Sequence, residues 1–266
     1  MQERLFFMQL WIYRHFILVA VSNDFRSRFS RSTVGILWAV LHPLAMVAIY
    51  ALVFSHVMQA RLDGLTGKYA FVEYLIAGLL FWTLFSEIIL KSLTLFLSHA
   101  EMIKKARFPR SLIPIIFFST QLTEHLGLII ATMIIYYLLG HTFSASILIA
   151  PTFIFLTAIF AMSIGIILGI LNVFVRDLQQ VVPIILQLSF WLTPIVYPFS
   201  AIPPDFQSLI HFNPLYHFVD LYHRVIFTGE FPLFSDFFIP VITTIVFSGI
   251  SIIVFTRSAD DLTDAL

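Results

Sequence analysis

Apolar residues run along this chain in long blocks, each closed by charges, prolines or a short polar cluster, with neither the strict alternation of a half-buried strand nor the single stripe of a surface helix. A bilayer core about 30 Å thick needs roughly 20 apolar helical residues, because every backbone N–H and C=O within it must be satisfied inside the segment. Six blocks meet that demand: Gly35 to Val57, Ala70 to Leu97, Leu112 to Leu139, Ile147 to Val175, Val181 to Pro198 and Phe237 to Phe255. The second, third and fourth exceed the minimum and are expected to tilt or to project into water. A seventh block, Leu5 to Val21, is short and carries Arg14 and His15 near its middle, where a charge costs roughly 3 kcal/mol. With Trp11 and Tyr13 as anchors it reads as a helix lying in the membrane interface.

Composition agrees with the pattern. Apolar residues are 59% of the 266 and charged ones 11%, and the mean hydropathy is +0.95, beyond what a water-soluble surface can carry. The predicted fold class is therefore an all-α integral membrane protein, with 1–266 as a single transmembrane domain. Residues 1–34 form a cytoplasmic interface helix and basic segment, 35–199 hold spans one to five, 200–233 are outer re-entrant helices, and 234–266 are the last span and a tail. Formal net charge is zero, so bulk charge points to no nucleic-acid partner. There is no cysteine, which excludes disulfides, thiolate metal sites and a cysteine nucleophile. No small-x-small cleavage site follows the first apolar run, and the N-terminus is expected to be retained.

The distribution of charge sets the orientation. With six spans, one side receives Arg4, Arg14, Arg26, Arg28, Arg31, Lys104, Lys105, Arg107, Arg110, Arg176 and Arg257, and the other only Arg61, Lys68 and Arg224. Lys91 stays inside a span. Eleven against three places both termini in the cytoplasm by the positive-inside rule. The densest basic run, "IKKARFPRSL" at 103–112, is then a cytoplasmic loop between spans two and three, and Pro109 is expected to end its short helix. The outer segment, Ser200 to Leu233, is too polar to span yet rich in apolar residues, and turns at Pro203-Pro204 and Asn213-Pro214 divide it into short helices expected to dip into the outer leaflet.

Enzyme signatures are scarce. "GLTGKY" at 64–69 lacks the spacing and the Ser/Thr of a phosphate loop and reads as an outer turn. No H-E-x-x-H or G-x-S-x-G occurs, and His211, His217 and His223, six apart, match one helical face poorly, so no metal site and no catalytic residue is assigned. Ionisable residues inside spans count for more. Glu87 and Lys91, four apart, are expected to pair, either as a structural ion pair or as a polar wall of a pathway, while Glu124 beside His125 has no partner identifiable from sequence. Asp220 and Arg224 repeat the spacing and are expected to fix the short outer helices to one another. Among the aromatic residues, Trp38, Phe81, Trp82 and Phe85 lie near span ends, as interfacial anchors or as rings along which the apolar faces of sugars could slide.

Four segments together resemble the membrane (permease) subunits of polysaccharide-exporting ABC transporters of the O-antigen and teichoic-acid type. They are "RFSRSTVGILWAVLHPL" at 28–44, "IKKARFPRSLIPI" at 103–115, "VRDLQQVVPIILQLSFWLTPIVYP" at 175–198 and "NPLYHFVDLYHRVIF" at 213–227. The resemblance implies a homodimer in a bacterial inner membrane, paired with two copies of a separate ABC-type ATPase. ATP and its magnesium ion would be bound by that partner, with no cofactor in this chain. It implies that Ile103, Lys104, Lys105, Arg107, Phe108, Pro109 and Arg110 belong to a coupling helix seated on the ATPase. The exported substrate would be a lipid-linked polysaccharide, most readily O-antigen, with teichoic acid or a capsule polymer as alternatives. Arg26, Arg28 and Arg31 could then bind lipid-borne phosphate, or be ordinary topological charges. Small-molecule efflux and an integral-membrane enzyme acting on lipid-linked sugars fit less well, the first for want of longer outer loops or a fused nucleotide-binding domain, the second for want of an acidic or histidine cluster at one leaflet.

Overall fold

The computed structural model describes residues 12–29, 70–104, 109–138 and 143–258, with isolated positions at 35–38, 41, 45, 140, 261, 262, 265 and 266; side chains are described for the same residues except 24–29, 36 and 138. The described residues form helices and the turns that join them, without strands. Eight helices carry the architecture: α1 (Arg14–Phe29), α2 (Ala70–Leu93), α3 (Leu112–Leu138), α4 (Ala150–Phe174), α5 (Leu178–Leu192), α6 (Pro204–Phe212), α7 (Pro214–Tyr222) and α8 (Phe238–Arg257).

Four segments are long and apolar enough to cross a membrane: Ala70–Leu93, Leu112–Tyr137, Ala145–Phe174 and Phe234–Arg257. They coincide with predicted spans two, three, four and six. Predicted span one, Gly35 to Val57, falls almost wholly outside the described residues. Predicted span five is shorter than expected: α5 ends at Leu192, and its 15 residues reach about 22 Å at 1.5 Å each. Thr193 is extended (φ −111°, ψ 135°), as the residue before Pro194 prefers, so the chain leaves the helix well before Pro198.

α2 and α4 form the centre of the bundle, with α8 along α4, α5 along α2, and α3 touching both. Small residues bring the two central helices together. Gly165 and Gly169, one turn apart on α4, face Ser92 of α2, and a Cβ at Gly169 would collide with the Ser92 carbonyl oxygen. This is how helices associate in lipid, where no hydrophobic gain separates a neighbouring helix from an acyl chain and close backbone approach supplies the attraction. Asn172 adds a buried polar tie: its Nδ2 donates to the Leu93 carbonyl at 2.8 Å, one of the carbonyls that the end of α2 leaves without a helical partner.

The interface helix also differs from expectation. The described helix runs from Arg14 to Phe29, further along the chain than Leu5 to Val21, and packs against α3. Arg26 and Arg28 are thus on the helix itself, not in a segment after it. Residues 1–11 and Arg31 lie outside the described residues.

Candidate functional site

Two regions join what the sequence keeps apart. The first lies where α2 and α3 face each other. Lys91 Nζ sits 2.7 Å from Glu87 Oε2 on its own helix and 2.8 Å from Glu124 Oε2 on α3. Gln121 Nε2 donates to the same Glu124 oxygen at 3.3 Å. Glu124 is the most enclosed of the three charged residues, with 13% of its side chain exposed, against 51% for Glu87. One ammonium group thus serves two carboxylates, one largely enclosed and one half-exposed. The neighbouring His125 is buried, and among the described residues its Nε2 has no hydrogen-bond partner.

The helix that carries Lys91 continues into two short turns, Leu95–Ser98 and Ala100–Ile103, that lead to the basic loop. Ile103 is buried and Lys104 exposed at the loop's first root. Pro109 and Arg110 stand at its second root, where their carbonyls accept from Leu112 and Ile113 and start α3. Pro109 therefore sits in the turn that opens α3, while the described helical turn ends at Ile103. Lys105, Arg107 and Phe108 lie outside the described residues. A cavity of about 760 Å³ opens beside this corner, lined on α1 by Phe16, Val19, Ala20 and Asn23, which share one helical face, and elsewhere by Lys91, His99 and Ile113 among others.

The second region is the segment between α5 and α8. Its helix α7 is wedged into the bundle, burying Leu215, Phe218, Val219, Leu221 and Tyr222 against α2, α4 and α8. The Phe218 ring stacks on Phe160 with centroids 4.9 Å apart, and Tyr222 meets Phe153 edge-on at 4.6 Å. Asn213 starts this helix: its Oδ1 accepts from the Leu215 N–H and its Nδ2 donates to Thr193 Oγ1 at 2.9 Å. Tyr74 of α2 donates to the Tyr197 carbonyl at 2.9 Å and stacks on His223 at 3.8 Å. The close stack is possible because Gly78 offers no Cβ to meet His223 Nε2.

Arg224 pairs with Asp220 at 2.7 Å, as the spacing suggested, and also with Asp236 at 3.1 Å. Its second partner belongs to the turn Phe234–Phe237 that opens the last span, so the pair fixes α7 to that span and not to α6. Burial raises the Asp220 carboxyl above its ordinary value, while the charge and hydrogen bond of Arg224 act the other way. His211 and His217 meet through a ring nitrogen and a backbone carbonyl, and no metal-binding group of three or more ligands occurs among the described residues.

The aromatic candidates separate sharply. Phe81 and Phe85 are 0% and 3% exposed, and their rings pack on Phe218, Tyr222 and Phe160. Within this subunit they are core residues, because α7 covers the face of α2 that hydropathy alone leaves open. Trp82 is half-buried against Phe190, with ring centroids 5.3 Å apart, and Trp38 is 53% exposed. Sequence reasoning missed Asn172, Gly165, Gly169 and Tyr74, although the G-x-x-x-G spacing at 165–169 was a legible sign of close helix packing.

Known proteins resemble this chain over most of its length. An O-antigen export system permease protein RfbA of Klebsiella pneumoniae is 34% identical over 201 residues, 75% of each chain. One from Myxococcus xanthus is 24% identical over 226 residues, 84% of this chain and 85% of the relative. The polysialic acid transport protein KpsM of Escherichia coli is 25% identical over 198 residues, 73% of this chain and 74% of the relative. The family model for ABC-2 type transporters matches residues 15–227, from α1 to the end of the α7 wedge, and the chain belongs to the ABC-2 type transporter family.

Proposed function

We propose that the chain is the membrane subunit of an ABC exporter that moves a lipid-linked polysaccharide, O-antigen in the first place, from cytoplasm to periplasm. The observation that carries this reading is the similarity, at 34 and 35% identity across three quarters of the chain, to permeases named for O-antigen export. ATP and magnesium belong to a separate ATPase, two copies of which would serve a homodimer of this chain, with both termini in the cytoplasm. The KpsM relative, at lower identity, favours a different sugar polymer and is the second reading.

In this mechanism the loop 103–110 seats on the ATPase. Its roots lead through two short turns to α2 and directly into α3, so a rigid-body movement of the partner would pass into the bundle. The Lys91–Glu124 bridge would help those two helices move together. Arg26, Arg28 and Arg31 would meet lipid phosphate at the inner headgroup level, where guanidinium forks bind phosphate bidentately. Trp38 and Trp82 are the aromatic residues left to face a sugar polymer, and Phe199 to Phe237 would form the outer, re-entrant side of the pathway.

The test is purification of this chain with and without the ATPase encoded beside it, measuring ATP hydrolysis for the native chain and for Lys104→Glu with Lys105→Glu. A stable complex that the double reversal uncouples or dissociates is the expected result. A chain that neither binds an ATPase nor alters its turnover would sink the proposal. Restoration of surface O-antigen in cells lacking the permease then separates the first polymer reading from the second.

A further inference from the structure

Leu262 is 4% exposed, although it lies five residues beyond the end of the last span. Ser258 ends α8 by donating to the Val254 carbonyl, and Leu262 N–H then donates back to the Ser258 carbonyl at 2.9 Å. This single turn folds the leucine against the bundle. Leu262 closes on Phe96, Ile103, Arg110 and Phe255 around a residual gap of about 10 Å³. A gap that small leaves room for one water at most.

The four partners come from three places. Ile103 and Arg110 are the two roots of the basic loop, Phe96 is in the turn that leads from α2 towards it, and Phe255 is in the last turn of α8. The rings of Phe96 and Phe255 already meet at 6.2 Å, and Leu262 sits across that seam. One tail leucine therefore lies against both roots of the loop and the last turn of α8. Charge in the sequence runs the same way: the tail "SADDLTDAL" has three aspartates, and the loop "IKKARFPR" has four cations.

We propose that the C-terminal tail is a positioning element of the ATPase connection, with Leu262 as its anchor. It pins both roots of the 103–110 loop to α8, so that movement entering at the loop is carried to α8 as well as to α2 and α3. This rests on the reading of the loop as the ATPase connection. Leu262 touches neither nucleotide nor polymer and acts only through the loop.

The chain's lack of cysteine allows a direct test in the assembled complex. Ile103→Cys with Leu262→Cys should be joined by a short thiol cross-linker in native membranes, while Leu209→Cys with Leu262→Cys should not. Leu262→Asp and Leu262→Ala should still insert and bind the ATPase, with hydrolysis near the native rate. Polymer export should fall, by up to about the tenfold by which losing a buried leucine shifts a docking equilibrium. Leu262→Met should restore export. Absence of the cross-link, or native export from Leu262→Asp, would overturn the proposal. Loss of assembly and hydrolysis together in both the Asp and Ala variants would also overturn it, by marking Leu262 as a folding contact only. The cross-link does not depend on the loop's role, so its presence alongside an inert Lys104 and Lys105 reversal would place the failure in the loop reading and not in the docking of the tail.

Discussion

Lys91 and Glu124 stand 33 positions apart in the chain, yet the ammonium nitrogen of one lies 2.8 Å from a carboxylate oxygen of the other. That contact ties α2 to the middle of α3 through a side-chain bridge. Removing the cation leaves Glu124 facing Gln121 with its main counter-charge gone. The cost lies between that of an exposed pair and that of a fully buried one, so Lys91→Met should lower stability by about 2 kcal/mol. Glu124→Gln, which keeps an acceptor for Gln121, should cost less. Thermal unfolding of the purified subunit in detergent measures both, and the double variant should lose less than the sum of the two.

The crossing of α2 and α4 depends on the missing side chains at Gly165 and Gly169. A methyl at Gly169 would strike the Ser92 carbonyl oxygen, which belongs to backbone and cannot rotate away. Gly169→Ala should destabilise the subunit by about 1–3 kcal/mol through overpacking. Gly249 on α8 is the control, because a Cβ there meets nothing within 4 Å. Gly249→Ala should be neutral or stabilising by up to about 1 kcal/mol, as helix propensity favours alanine. Equal losses at the two positions would show that the close approach is not what Gly169 provides.

Asn213 caps α7 and holds Thr193 with opposite ends of one amide. Asn213→Ala should cost about 1–2 kcal/mol by removing the cap and the bridge together. Asn213→Asp, which keeps the acceptor but not the donor, should fall between the two. Limited proteolysis of the 199–213 segment in the purified subunit provides the readout, with faster cleavage expected in the order native, Asp, Ala.

Neighbouring aromatic residues on α2 should behave oppositely. Phe81 is fully buried, and Phe81→Ala should cost about 3–5 kcal/mol and lower the amount of folded protein. Trp82, half-buried on the next face, should tolerate leucine in stability measurements while export falls. A Trp82→Leu variant with unchanged export would remove it from the pathway.

The lengths and ends of the spans were legible because they are local. A block of about 20 apolar residues has to be a helix in lipid, and Asn213-Pro214, Pro203-Pro204 and the prolines around the basic loop break the chain wherever they occur. Even there α5 stopped early, since Pro194 forces Thr193 out of the helix before hydropathy declines. Which face of each helix is covered was not legible. In a membrane, lipid-facing and core positions are equally apolar, so Phe81 and Trp82 read alike in sequence although α7 buries one and leaves the other half-open. The same limit hid the partner of Glu124, the insertion of Phe218 and Tyr222 between α2 and α4, and the docking of Leu262. Sequence by itself determined that this is a helical membrane protein with a basic loop between two long spans, because hydropathy, proline and charge act within one segment. Only the tertiary structure decided which segments hold one another, because a bridge such as Lys91 to Glu124 is set by how helices pack and not by their spacing along the chain.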